Sequence, residues 1–307
     1  MNLRFINDVS AKIKTSRSDM VEKDILLHQI LTDLSKDKFF SKNFLFKGGT
    51  CLIKHHLGYL RFSEDIDFTW KDQSRFEGKS VKAIRRDLSI IISDIGKIFE
   101  SIAQKKGFDF KCKKNDIDFV LLGGSNRMCT FNIWYDSVVL KKKTFIKVQI
   151  NFVEDICTKP EKAQLGSVLK ANDEELSALF PESDEYSKTI PFYVYGAKEI
   201  LSEKVRALLT RKGTKARDFL DIYFIQKNLG IRVVDVEKYV IRKTKHSLNL
   251  YVKYQTNLKA KIKLLEQNEI FEWGTEKGLL ISKIDEKDFK KFVGEFTEYL
   301  KTLVKKI

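Results

Sequence analysis

The residues best suited to chemistry lie close together. One is the acid–apolar–acid step Asp65-Ile66-Asp67, followed by Phe68; the other is the turn-like run Lys47-Gly48-Gly49-Thr50 upstream of it. In an extended strand, side chains at i and i+2 point to one face. Asp65 and Asp67 therefore present two carboxylates together, while Ile66 and Phe68 enter a core. Two such carboxylates repel unless a cation sits between them. Oxygen-only ligation suits Mg²⁺ or Mn²⁺, and Mg²⁺ in particular keeps waters and binds substrate phosphates as well. Gly48, Gly49 and Thr50 offer the complementary chemistry. Backbone N–H groups and a hydroxyl at the positive end of a helix favour a phosphate.

The elements that must hold these groups can be read around them. Phe44 to Phe46 is an apolar run long enough for a buried strand. Cys51 to Leu60 carries Leu52, Ile53, His56, Leu57 and Leu60 at helical spacing. Arg61, Phe62, Ser63 and Glu64 then lead into the acidic strand. A Gly-Gly turn alone is most often only a turn, and a lone Asp-x-Asp is most often a solvated strand end. Joined by one helix, the phosphate turn and the paired acids describe a nucleotidyl-transfer site.

The rest of the chain reads as follows. Residues 1–17 are polar and basic, and a helix capped at Ser16 or Ser18 runs through Val21, Ile25, Leu27, Leu31 and Leu34. Lys36 to Lys42 reads as a polar loop. A long helix covers about Ser80 to Lys106, with Ile84, Leu88, Ile91, Ile95 and Phe99 on one face. Strands are expected at Phe108–Lys113, Asp118–Leu122, Met128–Val139, Thr144–Val153 and Ile190–Val194, with a hairpin turn at Gly123 to Asn126. Lys159 to Asp184 reads as a polar connector with some helical character. From Gly196 the pattern is helical, with Gly278 to Ser282 the one further strand candidate. A last helix is capped by Asp285 and carries Phe289, Phe292, Phe296 and Leu300. The expected class is α+β: a mixed sheet flanked by helices over residues 1–195, then a helical bundle over residues 196–307.

The bundle opens on a second polar constellation. Ala197 to Phe224 fits two helices joined at Gly213. Glu199 and Glu203 share a face, and Lys204 follows. Between Lys204 and Arg217 there are basic residues at Lys204, Arg206, Arg211, Lys212, Lys215 and Arg217 and no acid, a patch suited to triphosphate or RNA backbone. On the second helix Asp218 and Asp221 share a face, and Asp221 is spaced to hold Arg217.

Composition sets the partners. The net charge is +15 (57 Lys and Arg against 42 Asp and Glu). That excess implies an acidic partner, nucleic acid being the commonest. The four cysteines have no C-x-x-C pair and read as reduced thiols. No apolar leader follows the N-terminus, and no apolar run approaches a membrane span. A soluble, cytoplasmic protein, monomeric by default, is expected.

KGGT, an apolar helix and RFSEDIDF resemble the signature of the nucleotidyltransferase AbiEii/AbiGii toxin family, a branch of the DNA polymerase β-like nucleotidyltransferase superfamily. The later E-x-x-x-E-K (Glu199, Glu203, Lys204) and R-D-x-x-D (Arg217, Asp218, Asp221) resemble its second motif. The resemblance covers roughly Phe44 to Phe224. It implies a nucleotidyltransferase-like sheet and Mg²⁺- or Mn²⁺-dependent transfer of an NMP from an NTP to an acceptor. RNA, at the 3′ end of tRNA, is the acceptor for some members. It also implies the toxin half of a type IV-like abortive-infection pair, with an antitoxin encoded nearby.

By the same resemblance Asp65 and Asp67 hold the metal, and Lys47, Gly48, Gly49, Thr50 and Ser63 contact the nucleotide. Lys204, with Arg217, binds the triphosphate, and Asp218 or Asp221 is an essential acid near it. One departure stands out. The family often carries a third acid in an I-K-x-E/D-I strand, and here Gln149 and Asn151 occupy that stretch. Glu154 and Asp155 are the candidates to replace it, and Lys147 is placed to help neutralise phosphate. Two further readings stay open: transfer to a protein hydroxyl, and a non-catalytic nucleotide- or RNA-binding protein.

Overall fold

A computed structural model describes residues 1–169 and 174–307. The chain divides into two compact units. One comprises Met1–Glu154 with Pro160–Tyr195, the other Asp155–Lys159 with Gly196–Ile307.

The first unit is built on a seven-stranded mixed sheet. Its strands are β1 (Phe44–Lys47), β2 (Asp65–Trp70), β3 (Val120–Gly123), β4 (Met128–Asp136), β5 (Lys143–Asn151), β6 (Glu161–Leu165) and β7 (Ile190–Val194), in spatial order β3-β4-β5-β2-β1-β7-β6. β2 runs parallel to β5 and β1 parallel to β7, and the remaining pairs are antiparallel. The even-numbered residues of β1 and β2 form the apolar face. Phe44, Phe46, Ile66 and Phe68 are fully buried there. Phe40 stacks on Phe44 and meets Phe68 and Phe99 edge-on, which joins the sheet to the helices Lys38–Asn43 and Val81–Lys106. Truncating a side chain buried in this way costs about 3–5 kcal/mol.

Several elements differ from the sequence reading. The polar-looking start contains a helix, Leu3–Lys12, because Phe5, Ile6 and Val9 form a narrow stripe that is fully buried. Lys38–Asn43 is helical rather than loop, capped by the Asp37 carboxylate, which accepts from Phe40 N at 2.7 Å. Phe108 to Lys113 contributes only a bridge between Asp109 and Trp134. The connector after Lys159 has the expected helical character, in Glu174–Leu179 and Pro181–Ser187, but also holds the unexpected edge strand β6. Residues 170–173 of that stretch lie outside the described residues. Gly278 lies in a 3-10 turn, Thr275–Leu279, rather than in a strand.

In the second unit, helices Ala197–Thr210 and Ala216–Leu229 open the bundle and Glu286–Val304 closes it. Asp285 caps the last helix as expected, accepting from Lys287 N and Asp288 N. Phe219, Phe271, Trp273, Phe289 and Phe296 pack ring against ring.

Candidate active site

The strand register brings the polar residues into one line. Lys47 of β1 lies opposite Asp67 of β2, Asp67 opposite Gln149 of β5, and Gln149 opposite Thr130 of β4. Registered partners share a sheet face. Asp65 and Lys147 form the next pair on that face. Asp65 and Asp67 are half-buried, and the core takes Ile66 and Phe68, as the alternation requires.

The glycine turn is locked to the acid strand. Gly48 has φ +77°, a left-handed conformation that glycine tolerates and other residues resist. A methyl group at Gly48 would also collide with the Asp67 carboxylate. A Cβ at Gly49 would lie 2.7 Å from Arg61 Nη2 and 3.2 Å from Ser63 Oγ. The turn therefore fits beneath Asp67, Arg61 and Ser63 only because two glycines leave the room. Thr50 is fully buried. Its hydroxyl donates to the Asp65 carbonyl and lies 2.9 Å from Ser63 Oγ. Arg61, almost fully buried, donates to the Phe62 carbonyl at 2.6 Å.

The helix that follows is α-helical over Gly48–Cys51 and π-helical over Leu52–His56, shorter than the expected Cys51 to Leu60. It stops before Gly58, which has φ +74°. Buried Lys54 anchors it. The Lys54 ammonium lies 3.0 Å from the Asp24 carboxylate, which also accepts from Tyr59 at 2.8 Å and Tyr186 at 2.6 Å.

Register and ion pairs locate the residues of the stretch where a third acid was expected. Gln149 stands beside Asp67 in the register, so the amide does occupy the strand position in question. Glu154 follows at the strand end. It pairs with Lys47 at 3.2 Å and accepts from Asn151 Nδ2 at 2.9 Å. Asp155 belongs to the other unit, where Arg242 grips it at 2.5 and 2.8 Å. Of the two acids, Glu154 is the one that pairs with a residue of β1.

The donor set fits a hard divalent cation. Two half-buried carboxylates on one strand face, with a glycine-cleared turn against one of them, match oxygen ligation by an ion that also meets phosphate.

The second constellation has a different character. Lys204 Nζ lies 3.1 Å from Asp218 and 2.5 Å from Asp221, and Arg211 lies 2.8 Å from Asp218. Burial pushes the Asp218 carboxyl up. The Lys204 ammonium, with Arg211 and Arg217, outweighs this and holds it well below the usual carboxylate range. Glu199 pairs with Lys243 at 2.5 Å and accepts from the Thr158 amide at 2.7 Å. The expected bare basic patch is thus partly neutralised, since Lys204, Arg206 and Arg211 all meet carboxylates. The expected Asp221–Arg217 spacing also understated the network, because Asp221 reaches Lys204 on the neighbouring helix. A sequence shows spacing within a helix but not pairing between helices.

A mixed sheet carrying a glycine turn against an Asp-x-Asp strand fits a protein of the nucleotidyltransferase class. The chain belongs to the AbiEii family of nucleotidyltransferase toxins of type IV toxin–antitoxin systems, whose family model matches residues 29–303. Among solved structures it is similar to MenT4, a nucleotidyltransferase toxin from Mycobacterium tuberculosis H37Rv. That match has 15% identity and a TM-score of 0.48, covering 94% of this chain and 98% of that one. It is similar as well to JHP933 from Helicobacter pylori, at 14% identity and a TM-score of 0.44, covering 95% of each chain. No curated protein matches significantly. No helix among the described residues is long and apolar enough to cross a membrane.

Proposed function

We propose that this toxin transfers an NMP from an NTP to the 3′ end of tRNA in the cytoplasm, as a monomer, with Mg²⁺ or Mn²⁺ held by Asp65 and Asp67. The observation that supports the reading is the interlock of Gly48 with Asp67, in which the glycine turn packs directly against one of the paired acids. A divalent ion there supplies charge neutralisation at the phosphates.

The chain's own residues do the positioning on which phosphoryl chemistry mostly depends. Gly48 and Gly49 cradle the triphosphate with their backbone. Thr50 fixes the start of β2 through the Asp65 carbonyl, and Ser63 borders the turn. Lys47, oriented by Glu154, neutralises phosphate. Glu154 supplies the acidic function absent at Gln149. Lys204 takes the triphosphate role that family resemblance gives it, its ammonium held by Asp218 and Asp221, with Arg217 in support. The RNA acceptor is supported by the +15 net charge. An antitoxin partner follows from family membership.

The test is a transfer assay with purified protein, total tRNA, Mg²⁺ and each of four α-labelled NTPs in turn. Label in tRNA with the wild type, and none with Asp67→Asn, is the expected result. Label in protein would replace the acceptor. No label with any NTP would overturn the enzymatic reading.

A further inference from the structure

We propose that His55, His56 and Glu161 form a second metal site, separate from the acids of β2, which takes a first-row transition dication, Zn²⁺ foremost. One ligand atom from each of the three residues lies within 4.8 Å of the others. Bonds of about 2.0–2.1 Å in a tetrahedral zinc site place ligand atoms roughly 3.3 Å apart. A modest closure would complete the site. Glu161 is exposed, while the two histidines are half-buried.

Three features of the backbone build this cluster. The first is the π-helical stretch Leu52–His56, closed by Leu57 N to the Leu52 carbonyl at 2.9 Å. A π turn has more residues per turn than an α turn, so successive side chains diverge less. Adjacent His55 and His56 rings accordingly sit 4.5 Å apart. Such single π turns are rare and often mark functional positions.

The second feature fixes a tautomer. His56 Nε2 lies 2.8 Å from the Tyr195 carbonyl oxygen. A carbonyl only accepts, so Nε2 carries the proton and the lone pair is left on Nδ1. Metal-binding histidines are typically oriented in this way, by donating the other ring N–H to a carbonyl or carboxylate. The third feature ties the carboxylate in place. Glu161 begins edge strand β6 opposite Val194, the residue before Tyr195. The far end of that strand is fastened to the same helix, by Gly166 N to the Lys54 carbonyl at 2.8 Å.

The donor set separates this site from the first. Two imidazoles and one carboxylate suit zinc and its neighbours, whereas Asp65 and Asp67 offer oxygen only. Three protein ligands leave a fourth position for water. An ion here would clamp the last turn of the helix whose first turn is Gly48–Cys51.

The experiment is calorimetric titration of metal-free full-length protein with Zn²⁺ in excess Mg²⁺, with Co²⁺ as the spectroscopic probe. One equivalent is expected to bind to the wild type and equally to Asp67→Asn. Glu161→Gln, at an exposed position, and His55→Ala are expected to weaken binding by more than roughly tenfold. Zinc should raise the melting temperature of the wild type but not of Glu161→Gln. Absence of saturable binding would overturn the site. So would binding lost in Asp67→Asn but kept in Glu161→Gln, or a thiolate-to-cobalt band assigning the ion to cysteine.

Discussion

The two polar constellations of this chain handle charge in opposite ways. On β2, two acids share one face beside a turn in which glycines clear room against Asp67 and Arg61. In the helical unit, Lys204, Arg211, Asp218 and Asp221 close on one another, and both aspartates are almost fully buried. In the first arrangement glycine backbone packs against a guanidinium and against an acid that lies opposite Lys47 in the sheet. In the second, long side chains from two helices pair charge with charge. Family motifs name residues in both, but the structure distinguishes a cradle from a clasp.

The largest expected effect tests the cradle. Asp67→Asn should lower the rate of NMP transfer by on the order of 10³-fold while the thermal melt stays within a few degrees of wild type. A melt that collapses with the rate would make Asp67 structural and erase the contrast.

Lys204→Met tests the clasp. It leaves two buried carboxylates without their ammonium, and breaking a buried pair in this way costs about 3–5 kcal/mol. Urea unfolding is the measurement. A variant of normal stability would show that Lys204 holds little of the helical unit together.

The pH dependence sharpens the same point. Against the opposing effect of burial, Lys204, Arg211 and Arg217 hold the folded pKa of Asp218 below the ordinary carboxylate range. Its stabilisation is therefore complete above about pH 4 and is lost as pH falls from there through the folded value, where the unfolded chain binds the proton first. Asp218→Asn should flatten that acid limb in a series of melts. An unchanged limb would place the acid sensitivity elsewhere.

The smallest effect concerns Glu154. Glu154→Gln keeps the shape but removes the charge that pairs with Lys47. Transfer should fall about tenfold if the carboxylate stands in for an acid at Gln149. A rate unchanged from wild type would reduce Glu154 to a hydrogen-bonding post.

Much of the cradle was legible because local rules suffice there. The Asp-Ile-Asp-Phe alternation gave β2 and its two faces, and Phe44 to Phe46 gave β1. What escaped was set by distance along the chain. β6, with the sequence EKAQL, is an edge strand whose partner β7 supplies the pattern that its own residues lack. The Leu3–Lys12 helix hides behind mostly polar residues because only three apolar side chains make its contact face. Gln149 could be suspected from the motif. That Glu154 pairs with Lys47 while Asp155 pairs with Arg242 depends on residues far apart in sequence.

The parallel pairing of β2 with β5 also carries a kinetic consequence. Asp67 sits on a strand whose two neighbours are β1, just upstream, and β5, which begins only at Lys143; β1 in turn waits for β7, which ends at Val194. Non-local pairing of this kind forms slowly. At translation rates of about 5–20 residues per second, the ribosome needs roughly 6–25 seconds to pass from Asp67 to Val194. The half-made chain on the ribosome therefore carries both halves of its motif without the sheet that aligns them. Stalled chains ending before Lys143 should be inert in the transfer assay, so that a toxin of this architecture stays harmless to the machinery producing it until synthesis is well advanced.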